Sequence, residues 1–294
     1  MKYKSSLGSK LFDAFNYLFL TLLTILFLYP FLYVIFASLS DTQLFVQQRG
    51  ILLAPVGFSL NSYLTVFKTP EIWVGYGNTI LYLVTGTALN IVLTTLGAYV
   101  LSRRKLYFKN AMMAMITFTM FFSGGLIPSF LLVKSLGMFN TLWAVIVPIA
   151  ISAWNLIIMR TTMMQIPAEM EEAAIIDGAN AFQVLMKVIL PLSTAIIAVM
   201  VLFYAEGHWN SWFRESIYLK DRSLYPLQLL LREILIQNEL MQLTINAGGD
   251  VNFDSVAETI KYAIIVVATV PILLVYPFIQ KYFTQGVMVG SLKG

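Results

Sequence analysis

The chain has 294 residues, 59% of them hydrophobic and 12% charged, where a soluble domain of this size would carry about 25% charged residues. It has no cysteine and a single histidine, His208, which excludes a disulfide framework, a thiolate site and a His-rich metal site. The net charge of +4 does not call for nucleic acid, because a modest basic excess marks the cytoplasmic loops of membrane proteins.

Apolar stretches near spanning length, about 20 residues, follow at 15–39, 79–101, 111–133, 141–159, 189–205 and 262–279, and none contains a charge. Backbone in lipid must satisfy its own hydrogen bonds, so each is expected to be a helix. Pro30, Pro128, Pro148 and Pro271 would kink them, with neighbouring helices compensating. The first stretch is too long for a signal-peptide core and has no A-x-A site after it, so it reads as a retained anchor. The expectation is a single all-α membrane domain over 1–294, a bundle of six transmembrane helices.

Lysine and arginine in the short flanks set the orientation. Lys2, Lys4 and Lys10 precede the first stretch, and Arg103, Arg104, Lys105 and Lys109 lie between the second and third. Arg160 and Lys187 flank the segment after the fourth, and Lys281 and Lys293 follow the last. With six spans these fall on one side, so both termini are expected in the cytoplasm. The other side receives 40–78, 134–140 and 206–261.

The segment after the fourth stretch carries Glu169, Glu171, Glu172 and Asp177 in an otherwise apolar, basic chain. Pro167 can open a helix there, and acids in a first turn suit its dipole. Glu172, Ile175, Ile176 and Ala179 are spaced to share one face. Gly178 can end the helix in a left-handed turn, and Asn180 can cap a second helix leading to Pro191. Such a short helix, apolar on one face with an acid at its edge, can dock a protein partner. An interfacial helix covering the bundle would carry the same pattern.

At this segment the residues resemble a family. Glu172-Ala173-Ala174, Gly178, Val188 and Leu190-Pro191 match EAA-x3-G-x9-I-x-LP, the cytoplasmic loop of permease subunits in binding-protein-dependent ATP-binding-cassette (ABC) importers. Val188 stands where the motif usually has Ile. SGGLIP, NTLWAVIVP, NLIIMR, HWNSWF and the tail QKYFTQGVMVGSLKG look like the carbohydrate-uptake branch. They are similar to the maltose-transporter permeases and to permeases linked to lipoprotein sugar-binding partners that import oligosaccharides.

The resemblance implies a division of labour. The chain would be no enzyme and hold no cofactor. ATP and Mg would be bound by partner ATPase subunits, in keeping with the absence of a phosphate loop here. The partners implied are a second, homologous permease forming a heterodimer, two cytoplasmic ATPases and an extracytoplasmic sugar-binding protein, in a bacterial cell membrane. Loop 167–188 would enter a cleft of the ATPase. Glu171, Glu172, Ala173, Ala174, Asp177, Gly178, Ala179 and Pro191 would be its coupling residues, with Glu172 paired to a basic group. The tail 286–294 would reach the ATPase or be a free terminus.

Sugar sites combine aromatic platforms with amides and carboxylates. Candidates in or beside the spans are Asn90, Trp154, Asn155, Tyr204 and Glu206, since polar groups at depth face a bundle interior or cavity. Each could equally be interhelical glue. His208, Trp209, Asn210 and Trp212 are candidates for docking the binding protein at the outer mouth, where aromatic residues also sit in headgroup layers. A secondary transporter would need charges within spans. A membrane glycosyl-transfer enzyme would need convergent acids or a metal.

Overall fold

The computed structural model describes residues 7–48, 50–103, 106–246, 259–274 and 277. Lys2, Lys4, Arg104, Lys105, Lys281, Lys293 and the tail 286–294 lie outside the described residues, as does part of 275–279 at the end of the sixth apolar stretch.

In chain order the helices are α1 (Leu7–Ser38), α2 (Thr42–Gln47), α3 (Asn61–Lys68), α4 (Pro70–Ser102), α5 (Lys109–Phe121), α6 (Leu126–Ser135), α7 (Leu142–Ile146), α8 (Ala153–Met163), α9 (Ala168–Ile176), α10 (Ala181–Val184), α11 (Leu190–Leu192), α12 (Thr194–Trp209), α13 (Phe213–Tyr218), α14 (Leu227–Asn246) and α15 (Thr259–Leu274). Two 3-10 turns, Val147–Ile149 and Arg222–Leu224, and a π turn, Leu185–Ile189, complete them. Among the described residues there is no strand, only an isolated antiparallel bridge between Ser40 and Phe58. The chain is all-α.

Among the described residues, only α1 and α4 are long and apolar enough to cross a membrane as single helices. Three bent helix pairs have the length and apolarity of one span each: α5 with α6, bent by 113°; α7 and its 3-10 turn with α8, bent by 49°; and α10–α11 with α12, bent by 83°. α15 is apolar but shorter.

The breaks do not all follow the prolines. In stretch 111–133 the chain turns at Gly124–Gly125, where Gly125 has φ +84°. Pro128 instead sits in the first turn of α6, where its missing N–H costs nothing. Pro30 lies inside α1 without ending it. The fifth span bends at Ser193, inside the expected stretch 189–205 and two residues after Pro191. Pro191 cannot donate to the turn before it, and the backbone widens into the π turn at Leu185–Ile189.

The described residues pack as two compact units, within 1–70 and 233–271, and within 71–232 and 272–294. In the first unit α1 exposes Leu11, Phe15, Leu18, Leu26 and Phe27, a surface suited to lipid. Ser62 Oγ donates to Thr259 Oγ1 at 2.8 Å, and the Tyr262 ring lies edge-on to Tyr33 and Phe45.

In the second unit α4, α8, α10–α11 and α12 share a core. Met159, Met163, Ile189 and Met200 are fully buried there beside Ala98, Leu156 and Tyr204. Lipid tails are as apolar as these side chains, so helix association rests on close packing and interhelical hydrogen bonds rather than on escape from water. Small residues admit the partners: Gly97 lies against Leu156, and Gly86 against His208.

Candidate functional site

The segment after α8 folds as its local signals direct. Pro167 is the N-cap of α9, and Glu169 and Glu171 occupy its first turn. Asp177 closes the helix, and Gly178 follows with φ +84°, left-handed backbone that a Cβ would strain. Asn180 and Gln183 then form a reciprocal capping box: Asn180 Oδ1 accepts from Gln183 N, and Gln183 Oε1 accepts from Asn180 N, each at 2.9 Å.

This geometry sorts the candidate coupling residues. No residue of α9 is buried. Glu172, Ala173, Asp177 and Gly178 are exposed, and Ile175 and Ile176 present 55% and 84% of their surface. Ala174 and Ala179 turn inward and pack on the core. Pro191 lies beyond the capping box, in α11. The outer face is therefore an apolar patch edged by carboxylates, held by two small residues beneath.

Glu171 differs from its neighbour. Its carboxylate forms an ion pair with Arg103, the residue just past α4, and the two side chains are only 20% and 25% exposed. Tyr99 Oη lies 3.4 Å from both Glu171 Oε1 and the Ala181 carbonyl oxygen, the two acceptors its single O–H can serve. The Arg103 guanidinium stands 4.7 Å from the Tyr99 ring centre. Its Nε donates to the Tyr99 carbonyl at 3.3 Å and to Ser102 Oγ at 3.1 Å. Burial lowers the Arg103 pKa from its ordinary value, and Tyr99 works in the opposite direction. Arg160 Nε donates to the Leu101 carbonyl at 3.0 Å, and Lys109 Nζ to the Ser102 and Arg103 carbonyls at 3.4 and 3.2 Å. Cations thus satisfy the C-terminal carbonyls of α4 and complement its dipole. Beside them lies a cleft of about 490 Å³, with Tyr99, Arg103, Glu171 and Glu172 among its walls.

The substrate-path candidates separate into interior and surface. The break between α7 and α8 leaves backbone groups without helical partners, and two candidates serve them. Asn90, fully buried, donates through Nδ2 to the Ile149 and Ala150 carbonyls at 2.7 and 2.9 Å. Tyr204 Oη accepts from Ser152 N at 3.1 Å and shares a 2.7 Å hydrogen bond with Thr94 Oγ1. Both residues hold a broken span together, since irregular backbone at membrane depth needs such partners. Asn155 is buried in the first turn of α8. Trp154, 60% exposed, and Glu206, which accepts from Asn210 Nδ2 at 2.7 Å, face outward.

The docking candidates divide the same way. His208 does not stand at a rim: it is 3% exposed, and its Nε2 lies 2.8 Å from Asn90 Oδ1. Gly86 makes this possible, because a Cβ there would come within 2.3 Å of the imidazole. Trp209 is also buried, edge-on to Tyr76 at 6.4 Å. Helix α12 continues to Trp209, which carries both residues into the bundle rather than into a loop. Asn210 is exposed, and Trp212 is partly exposed with the Arg232 guanidinium 3.8 Å from its ring centre.

Sequence reasoning missed Glu215 and Arg103. Glu215 is 1% exposed, and its carboxylate accepts from Ser211 Oγ at 2.7 Å and from Arg214 at 2.9 Å. Its place among the other charges of 206–261 gave no sign of burial. Asn140, at φ +59°, fixes the neighbouring turn by accepting from Lys220 N and Asp221 N at 2.8 and 2.9 Å. Asp221 accepts from Ser223 N, which holds its carboxyl below the ordinary value.

A polytopic helical bundle with broken spans and an exposed acidic-apolar helix between two of them is the architecture of a transport permease. Over residues 90–289 the chain matches the family described as binding-protein-dependent transport system inner membrane component. It is 43% identical, over 97% of its length and 99% of the relative's, to the polygalacturonan/rhamnogalacturonan transport system permease protein YtcP of Bacillus subtilis. It is 41% identical to protein LplC of the same organism, over 98% of its length and 96% of the relative's. Among solved structures it is similar to a chain of a bacterial ABC transporter involved in the import of the acidic polysaccharide alginate. That match has a TM-score of 0.85 and 32% identity, over 95% of this chain and 99% of that one.

The chain belongs to the family of binding-protein-dependent transport system inner membrane components. It is a membrane-embedded permease subunit of an ABC importer, a class that works with a binding protein and an ATPase. This decides against the secondary transporter and the glycosyl-transfer enzyme.

Proposed function

We propose that the chain forms one half of a heterodimeric pore that imports an acidic oligosaccharide, with α9 as the coupling helix seated in a cytoplasmic ATPase. The exposed face of α9 carries the reading: Ile175 and Ile176 are displayed with Glu172 at their edge, on a helix that buries no residue of its own. Such a patch suits a partner's cleft, where a shielded charge pair is stronger than one at a rim. Two ATPases would bind ATP and Mg, and their closure would move α9 and open the pore outward. An extracytoplasmic binding protein would deliver the sugar. Both termini would be cytoplasmic.

The acidic character of the substrate is supported by the relatives. Polygalacturonan and alginate, which name two of the transporters above, are both carboxylate-bearing polymers. Trp154 and Glu206 are the substrate-path candidates with free surface.

The test is ATP hydrolysis by the complete complex in proteoliposomes, with binding protein preloaded with oligogalacturonate or with a neutral oligosaccharide. Stimulation by the acidic sugar, abolished by Glu172→Lys while the chain still inserts, is the expected result. Stimulation by the neutral sugar alone overturns the substrate class. Normal stimulation in Glu172→Lys overturns the role of α9.

A further inference from the structure

Glu171 and Glu172 are adjacent, yet one faces out and the other is committed within the chain. We propose that Arg103 and Glu171 form a positioning latch that ties the coupling helix to the cytoplasmic end of α4, so that displacement of α9 is delivered to the whole of Pro70–Ser102. The inference rests on the assignment of α9 as the coupling helix.

Three observations carry it. First, α9 buries no residue and meets the core through the methyl group of Ala174, with Ala179 packing just beyond it. Such contacts let a helix slide. The ion pair is the only salt bridge from α9 among the described residues. Second, Arg103, just past α4, is tied to the last turn of that helix. Its Nε is bonded to the Tyr99 carbonyl and Ser102 Oγ, and its guanidinium lies over the Tyr99 ring. A force on the guanidinium is therefore a force on the helix. Third, Tyr99 Oη lies 3.4 Å from both Glu171 Oε1 and the Ala181 carbonyl oxygen, and so stands within reach of both sides of the sharp turn at Gly178. Both ends of the coupling segment meet one turn of one spanning helix.

The pair also suits a moving part. At 20–25% side-chain exposure it is less screened than a surface pair, without the full desolvation penalty of a buried one. Arg103 and Glu171 are thus positioning residues. They act through α9 and touch neither sugar nor nucleotide.

The experiment uses the complete importer in proteoliposomes and measures uptake per ATP hydrolysed. Arg103→Gln and Glu171→Gln should each retain the bound ATPase but lower that ratio about five-fold or more, the lower end of allosteric coupling factors. The charge swap Arg103→Glu with Glu171→Arg should recover much of the loss. The chain has no cysteine of its own, which allows a second measurement. Arg103→Cys with Glu171→Cys, joined by a short thiol crosslinker, should recover the ratio and lose it again on reduction. An unchanged ratio in the single variants, or a swap and a crosslink that both recover nothing, overturns the latch. If Glu172→Lys leaves stimulated hydrolysis intact, the assignment of α9 falls, which is a separate result from failure of the latch.

Discussion

Asn90 and His208 meet across 118 positions of sequence, with Asn90 Oδ1 2.8 Å from His208 Nε2. Asn90 spends both amide hydrogens on the Ile149 and Ala150 carbonyls, so the imidazole must be the donor in this bond. Three spans, α4, the broken α7–α8 pair and α12, are joined by one amide.

Gly86 permits that junction. The Cβ of Gly86→Ala would stand 2.3 Å from the His208 ring, an overpacking that costs about 1–3 kcal/mol. His208→Ala alone should cost about 1 kcal/mol, in line with intramembrane hydrogen bonds. In the double variant the alanine at 86 should fit the space the ring vacates, so the two losses should fall well short of additive. Thermal unfolding of the four proteins in detergent measures this. Strict additivity would show that the ring does not limit the size of residue 86.

Segment 168–184 should loosen by local changes alone. Gly178→Ala places a Cβ at φ +84°, at a cost of about 1–2 kcal/mol. Asn180→Ala removes one arm of the capping box, at about 1 kcal/mol. Hydrogen exchange over 168–184 should quicken in both variants while α4 and α12 keep their protection. Loss of protection throughout the bundle would refute the view that this segment moves as a local unit.

Glu215 should be intolerant of neutralisation. Its carboxylate is 1% exposed and answers Arg214, so Glu215→Ala leaves a mostly buried guanidinium without its counter-charge. The expected loss is about 3 kcal/mol, and Glu215→Gln, which keeps an acceptor for Ser211, should lose less. Equal melting temperatures for wild type and Glu215→Ala would place this pair in water.

The two tryptophans beside the spans should behave oppositely. Trp209 is 9% exposed and Trp154 is 60% exposed. Trp209→Ala should cost about 3–5 kcal/mol, as for a core aromatic. Trp154→Ala should change the melting temperature little, and should raise the KM for sugar uptake if its free face meets substrate. A KM equal to that of wild type would remove Trp154 from the path.

The apolar stretches and the local form of segment 167–184 were legible from the residues alone. Those signals act within one or two turns: a run of uncharged residues, Pro167 before a helix, Gly178 after it, Asn180 paired with Gln183. The motif running from Glu172 to Pro191 pointed to the family for a similar reason, being confined to one short segment of the chain. The position of the third span's break was less legible. Pro128 looked like the kink, but a proline in a first turn is harmless, and the turn fell to Gly124–Gly125.

Only the tertiary structure decided which acid faces outward, which polar residues mend a broken span, and that His208 and Glu215 are interior. Glu171 and Glu172 are chemically identical neighbours. They part because α9 sets one toward Arg103, 68 positions away, and the other toward solvent. Periodicity and capping are fixed by near neighbours, whereas these pairings exist only once distant helices have packed.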